Sequence, residues 1–163
     1  MSPWEPLVPR LMKMVAEDSE EGIRSLAILR LRSYEAGRTF LAALQGSTKE
    51  TSPSVLMRLL EFDSQQPDVR AKYYTRAIEF LSNKDDAIRS QWLNHIYFYA
   101  WNPSTAPMWR IEADPGLISK LKQIRDTGSD REKDVAGKAL DCLLKTSKET
   151  TQPTNAGAPA GGK

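Results

Sequence analysis

Apolar residues recur along this chain at offsets of four, five and eight from a branched residue. The sets are Ile23/Ala27/Ile28/Leu31, Val69/Tyr73/Tyr74/Ala77, Ile88/Trp92/Leu93/Ile96 and Val135/Ala139/Leu140/Leu143. Each residue advances about 100° around a helix axis, so these offsets gather every set into one stripe and predict four amphipathic helices. Other stripes predict the rest. Leu7, Val8, Leu11, Met12 and Val15 mark a first helix ending around Glu17 to Ser19, with Pro6 and Pro9 near its start. The second runs from about Glu20 to Ser33, and Tyr34 to Gln45 continues it past a bend near Ser33 or Gly37, until Gly46 supplies a stop. Ser52 is placed to cap a short helix opened by Pro53 and carrying Val55, Leu56, Leu59 and Leu60. A fifth helix is expected from Pro67 to near Asn83, and a sixth from Asp85 and Asp86 to about Trp101. After an irregular connection from Asn102 to Asp114, the pair Asp114 and Pro115 opens a seventh. Gly128 and Ser129 break it before a last helix, Asp130 to about Thr146. No strand pattern occurs, and the expected class is all-α with about eight helices.

Three of the four sets share a polar prefix. Arg24, Arg70 and Arg89 directly follow the branched residue, Ala136 takes that place in the fourth set, and Glu21, Asp68, Asp86 and Asp134 stand one or two places before it. This prefix resembles the opening of the second helix of HEAT and armadillo repeats, and Gly116, Leu117 and Ile118 resemble the entry of an armadillo second helix. Arg24 to Arg70 is 46 residues and Arg89 to Ala136 is 47, near the length of one such unit, whereas Arg70 to Arg89 is 19 and places those two stripes on adjacent antiparallel helices. The resemblance implies a right-handed stack of antiparallel helices, an armadillo/HEAT-like α-solenoid over residues 1–147, in which stacked neighbours complete each other's core. An acid at one helix start would meet an arginine at the next. Glu17, Asp18, Glu20 and Glu21 at one end, and Arg131, Glu132, Lys133 and Lys138 at the other, are available as polar caps, which favours a complete small domain. Residues 148–163 have almost no apolar bulk and are expected to be a disordered tail rich in Pro, Gly and Thr.

Composition narrows the function classes. A formal net charge of +2 gives no bulk support for nucleic-acid or membrane binding. The start, MSPWEPLVPRLMK, lacks the basic and then unbroken apolar run of a signal peptide, no segment approaches the roughly 20 apolar residues of a membrane span, and Cys142 has no partner thiol. An intracellular protein is expected, cytoplasmic or nuclear. With one histidine, His95, at the border of the core stripe, and one cysteine reading as packing, neither a metal site nor an activated nucleophile can be assembled from sequence neighbours. There is no glycine-rich phosphate loop, and Asp85 and Asp86 read as helix capping. No enzyme and no cofactor are expected.

The chemistry that remains is aromatic. Opposite its core stripe the sixth helix carries Gln91, Asn94, Phe98 and Trp101, so it is apolar on two sides. Either the connection bearing Pro103, Pro107, Met108 and Trp109 covers that second side, or the side receives a partner. Asn94, Phe98 and Trp101, with Gln91, then make a hot-spot cluster, and Lys72 and Lys138 belong to its polar rim. The expected function is a non-catalytic interaction module, a scaffold or adaptor, binding another protein or a linear peptide on the inner helical face. Trp92 is followed four residues later by Ile96, not by the asparagine of armadillo peptide grooves. Two alternatives stand. HEAT-like arrays also occur in DNA alkylation-repair enzymes, and Trp101, Trp109, Arg110 and Lys120 are the residues a nucleic-acid groove would use. A structural subunit would instead bury the aromatic side in a larger complex.

Overall fold

The computed structural model describes residues 5–47, 49–60, 67–101 and 111–150, and these are all-helical, with no strand among them. A single 3-10 turn, Glu5–Leu7, leads into α1 (Val8–Glu17), followed by α2 (Glu21–Leu31), α3 (Glu35–Ser47), α4 (Pro53–Leu60), α5 (Pro67–Leu81), α6 (Asp86–Trp101), α7 (Pro115–Thr127) and α8 (Asp130–Thr150). The last helix runs four residues past the sequence expectation and into the segment read as tail. The connection at 102–110 lies outside the described residues, as does the tail from 151 onward.

Several helix starts are written locally. The Asp114 carboxylate accepts from the Leu117 amide at 2.9 Å with Pro115 in the first turn, and Asp85 accepts from the Ala87 amide at 2.8 Å. At α8 a reciprocal box forms, in which the Ser129 amide donates to Glu132 at 2.9 Å and the Glu132 amide donates to the Ser129 hydroxyl at 3.4 Å. Each such cap is worth about 1 kcal/mol. The hydrogen bonds from Ser129, and then the Arg89 guanidinium, hold the Glu132 carboxyl below its usual range. The predicted bend after α2 is a tight turn, with Ser33 donating to Arg30 and Tyr34 to Leu31. Gly37 permits it, since a Cβ there would collide with the Leu31 backbone.

The even-numbered helices pack in a row, α2 on α4, α4 on α6 and α6 on α8, while α1 lies on α2 and α3, and α5 on α6 and α7. Short connections leave α5/α6 and α7/α8 as packed helical pairs. Two apolar clusters result. One joins Val8, Val15, Ala27, Ile28, Leu31, Leu41, Val55 and Leu59; the other gathers α5 to α8 around Trp92, Ile96, Leu117, Leu121 and Leu140, and takes Leu56 and Leu60 from α4. The short α4 therefore faces both, and six of its eight residues are buried.

Two arginines of the repeated prefix do the same job. Arg24 Nη1 donates to the carbonyls of Asp18 (2.8 Å) and Ser19 (3.0 Å), while Nε and Nη2 grip Glu50 at 2.8 and 2.9 Å. Arg89 Nη1 donates to the carbonyls of Asn83 (2.8 Å) and Lys84 (3.1 Å), and Nε to Glu132 at 3.0 Å. Each guanidinium folds back over the turn before its own helix and ties it to an acid just before or within the first turn of a later helix in the row. Arg89 also pairs with Asp86, and Arg70 pairs with Glu112 on a more exposed site.

Two expectations need correcting. Ile23 is not core: it is 38% exposed, because the side of α2 it occupies is left open among the described residues. Cys142 is only partly buried. His95, at the border of the core stripe, is packed: it is buried to 8% exposure, wedged among the rings of Tyr73, Trp92 and Tyr99.

Candidate functional site

Helix α6 has two faces of opposite fate. On one, Trp92 and Ile96 are fully buried and Leu93 nearly so; Trp92 stacks on Phe80 with centroids 5.0 Å apart, and its indole Nε1 donates to the Thr51 carbonyl at 2.8 Å. That bond satisfies the one polar atom of the largest core side chain. On the other face Gln91, Asn94, Phe98 and Trp101 share a stripe and all are exposed, Phe98 to 49% and Trp101 to 60%. Phe98 leans edge-on against Tyr99, with ring centroids 5.2 Å apart.

The expected site residues separate into groups. Asn94, Phe98 and Trp101 stand together and open. Gln91 is exposed but already engaged, its amide donating to Glu21 at 3.3 Å; the same carboxylate accepts the Ser52 hydroxyl at 2.6 Å. Gln91 thus helps to lock α6 to α2 across the start of α4. Lys138 lies on α8 near Tyr97 of α6, and its ammonium donates to Asp134 at 2.7 Å, which raises its pKa. Lys72 is exposed on α5 and shares no hydrogen bond or ion pair with the stripe among the described residues. The segment with Pro103, Pro107, Met108, Trp109 and Arg110 lies outside the described residues.

Two exposed apolar positions went unread. Aligning α2 with α6 on Arg24 and Arg89 makes Leu26 the counterpart of Gln91 and Leu29 that of Asn94, and these leucines are 60% and 37% exposed. The signal was present in the shared prefix, which sets a register for the outer side of the helix as well as the inner.

No described helix is long and apolar enough to cross a membrane, and no three potential metal ligands converge among the described residues. His95 is buried neutral: desolvation pushes its pKa down to about 4. Compared with family models, curated proteins and solved structures, the chain matches none.

Proposed function

We propose that the protein is a HEAT- or armadillo-like helical stack that works as a non-catalytic interaction module inside the cell. Its partner, another protein or a linear peptide, is held on the face of the even-numbered helices around Asn94, Phe98 and Trp101. The observation that carries this reading is the exposure of Phe98 and Trp101, on one stripe with the exposed Asn94. An exposed aromatic pair beside an amide combines apolar area with a directional hydrogen bond, the composition of interface hot spots. The stacked arrangement draws support from the row of even-numbered helices and from the matching roles of Arg24 and Arg89. Arg24, Arg70 and Arg89 are committed to carboxylates within the chain, which weakens the nucleic-acid alternative, since phosphate binding draws on accessible Lys and Arg.

A peptide-library selection on the wild-type chain, repeated with a Phe98→Ala/Trp101→Ala variant, tests the reading. The variant is expected to keep its circular dichroism and to bind the selected peptides about a hundredfold or more weakly. Peptides retained at full affinity by the folded variant would place the site elsewhere.

A further inference from the structure

The two ends of the row α2, α4, α6, α8 differ in what they leave uncovered, and the register shared by α2, α6 and α8 indicates what each end accommodates. On α6, the side turned toward the earlier helices carries Ile88, Gln91 and His95. His95 is buried, Ile88 packs partly buried on the core and Gln91 is bonded to Glu21. Their counterparts on α2, counted from Arg24, are Ile23, Leu26 and Arg30, and all three are exposed. Ile23 thus stands open where Ile88 packs on the core, and the apolar Leu26 stands open where α6 has a polar, exposed Gln91 that is engaged by Glu21.

The opposite end repeats the argument in reverse. The side of α6 turned toward α8 carries Asp86 and Tyr97, and Tyr97 packs on the core close enough to Lys138 of α8 to act on its charge. Forty-seven residues on, the counterparts on α8 are Lys133 and Leu144. Both are exposed, Leu144 to 41%, and at Gly137 nearby a Cβ would meet only open space. Charge matches across the two ends. Glu20 holds on α2 the place that Glu132 holds on α8, three residues before the branched residue, where Glu132 receives the basic Arg89 of the preceding helix in the row. Glu20 is exposed, and Lys133 supplies a base at the other end.

We propose that this chain associates with itself head to tail, the Leu144 edge of α8 in one copy packing on the Ile23 and Leu26 edge of α2 in the next, with Glu20 facing Lys133. Such a contact is heterologous: a head-to-tail dimer keeps one free edge of each kind, so species larger than a dimer form as concentration rises. The inference rests on the stacked reading of the helices but not on peptide capture, and Phe98→Ala/Trp101→Ala is expected to leave it unchanged.

Sedimentation equilibrium over a wide concentration range tests it, with folding checked by circular dichroism. Wild-type average mass is expected to climb with concentration. Leu26→Glu and Leu144→Glu, both at exposed positions, are each expected to stay monomeric alone, while their equimolar mixture forms a one-to-one dimer, because each retains the edge the other has lost. Glu20→Lys is expected to weaken association by about tenfold or more, and adding Lys133→Glu to restore it. Should either glutamate variant unfold, this charge exchange decides alone. A wild-type chain that stays monomeric throughout overturns the proposal. So does a Leu144→Glu chain that still dimerises, which would assign the contact to two α2 edges, or a mixture that stays monomeric.

Discussion

His95 and Tyr73 meet in the interior with two polar atoms, His95 Nε2 and Tyr73 Oη, that have no hydrogen-bond partner among the described residues. Burial pushes the phenol pKa well above its usual value and the imidazole down to about 4. Both groups are therefore neutral at physiological pH. The unfolded chain binds the imidazole proton first, near pH 6.5, so the folded state is at full stability above that value and loses it as pH falls toward 4. The loss amounts to roughly 3 kcal/mol. Urea unfolding at pH 7 and pH 4.5 is expected to show a larger drop for wild type than for His95→Leu, and equal drops would mean that His95 is hydrated in the fold. Tyr73→Phe removes a hydroxyl with no hydrogen-bond partner among the described residues, so its stability is expected to match wild type or exceed it by up to about 1 kcal/mol. A clear loss in the same urea experiment would reveal a partner for that hydroxyl.

Between helices the arginines matter more than their number suggests. Arg24 and Arg89 each satisfy two turn carbonyls and a carboxylate at a later helix, Arg89 pairing with Asp86 as well, from mostly covered positions with side-chain exposures of 15% and 24%, whereas the Arg70 and Glu112 pair is more open, at 35% and 57%. Arg24→Ala and Arg89→Ala are each expected to cost roughly 2 kcal/mol in chemical denaturation, because carbonyls and a largely covered carboxylate lose their donor. Arg70→Ala is expected to cost less than about 1 kcal/mol. Equal losses at all three sites would show that the folded-back geometry contributes nothing. Much of this level was legible in advance. Asp114 with Pro115, and Ser129 with Glu132, carry their caps within four residues, so the starts of α7 and α8 could be read directly. Gln91 could not be read, because its partner Glu21 is 70 residues away and a single stripe carries no information about a distant neighbour. Ile23 failed for a related reason. Periodicity puts a residue on the apolar side of a helix, but burial needs another helix to lie there.

For the molecule as a whole, α4 decides how far the two apolar clusters act as one. Val55 and Leu59 belong to the first and Leu56 and Leu60 to the second, all on a helix of eight residues. Val55→Ala and Leu56→Ala are each expected to cost roughly 2 to 4 kcal/mol while urea unfolding remains a single transition seen alike by tryptophan emission and far-ultraviolet circular dichroism. Transitions that separate between the two probes would mean the clusters unfold independently. The contrast between Trp92 and Trp101 has a consequence of its own. One indole is sealed against Phe80 and bonded to a carbonyl, and the other is open to water on the opposite side of the same helix. Trp92 should therefore emit toward the blue and resist acrylamide, while Trp101 emits toward the red and is readily quenched. The difference between wild type and Trp101→Phe isolates that red component, so the protein carries its own optical gauge of whatever settles on α6.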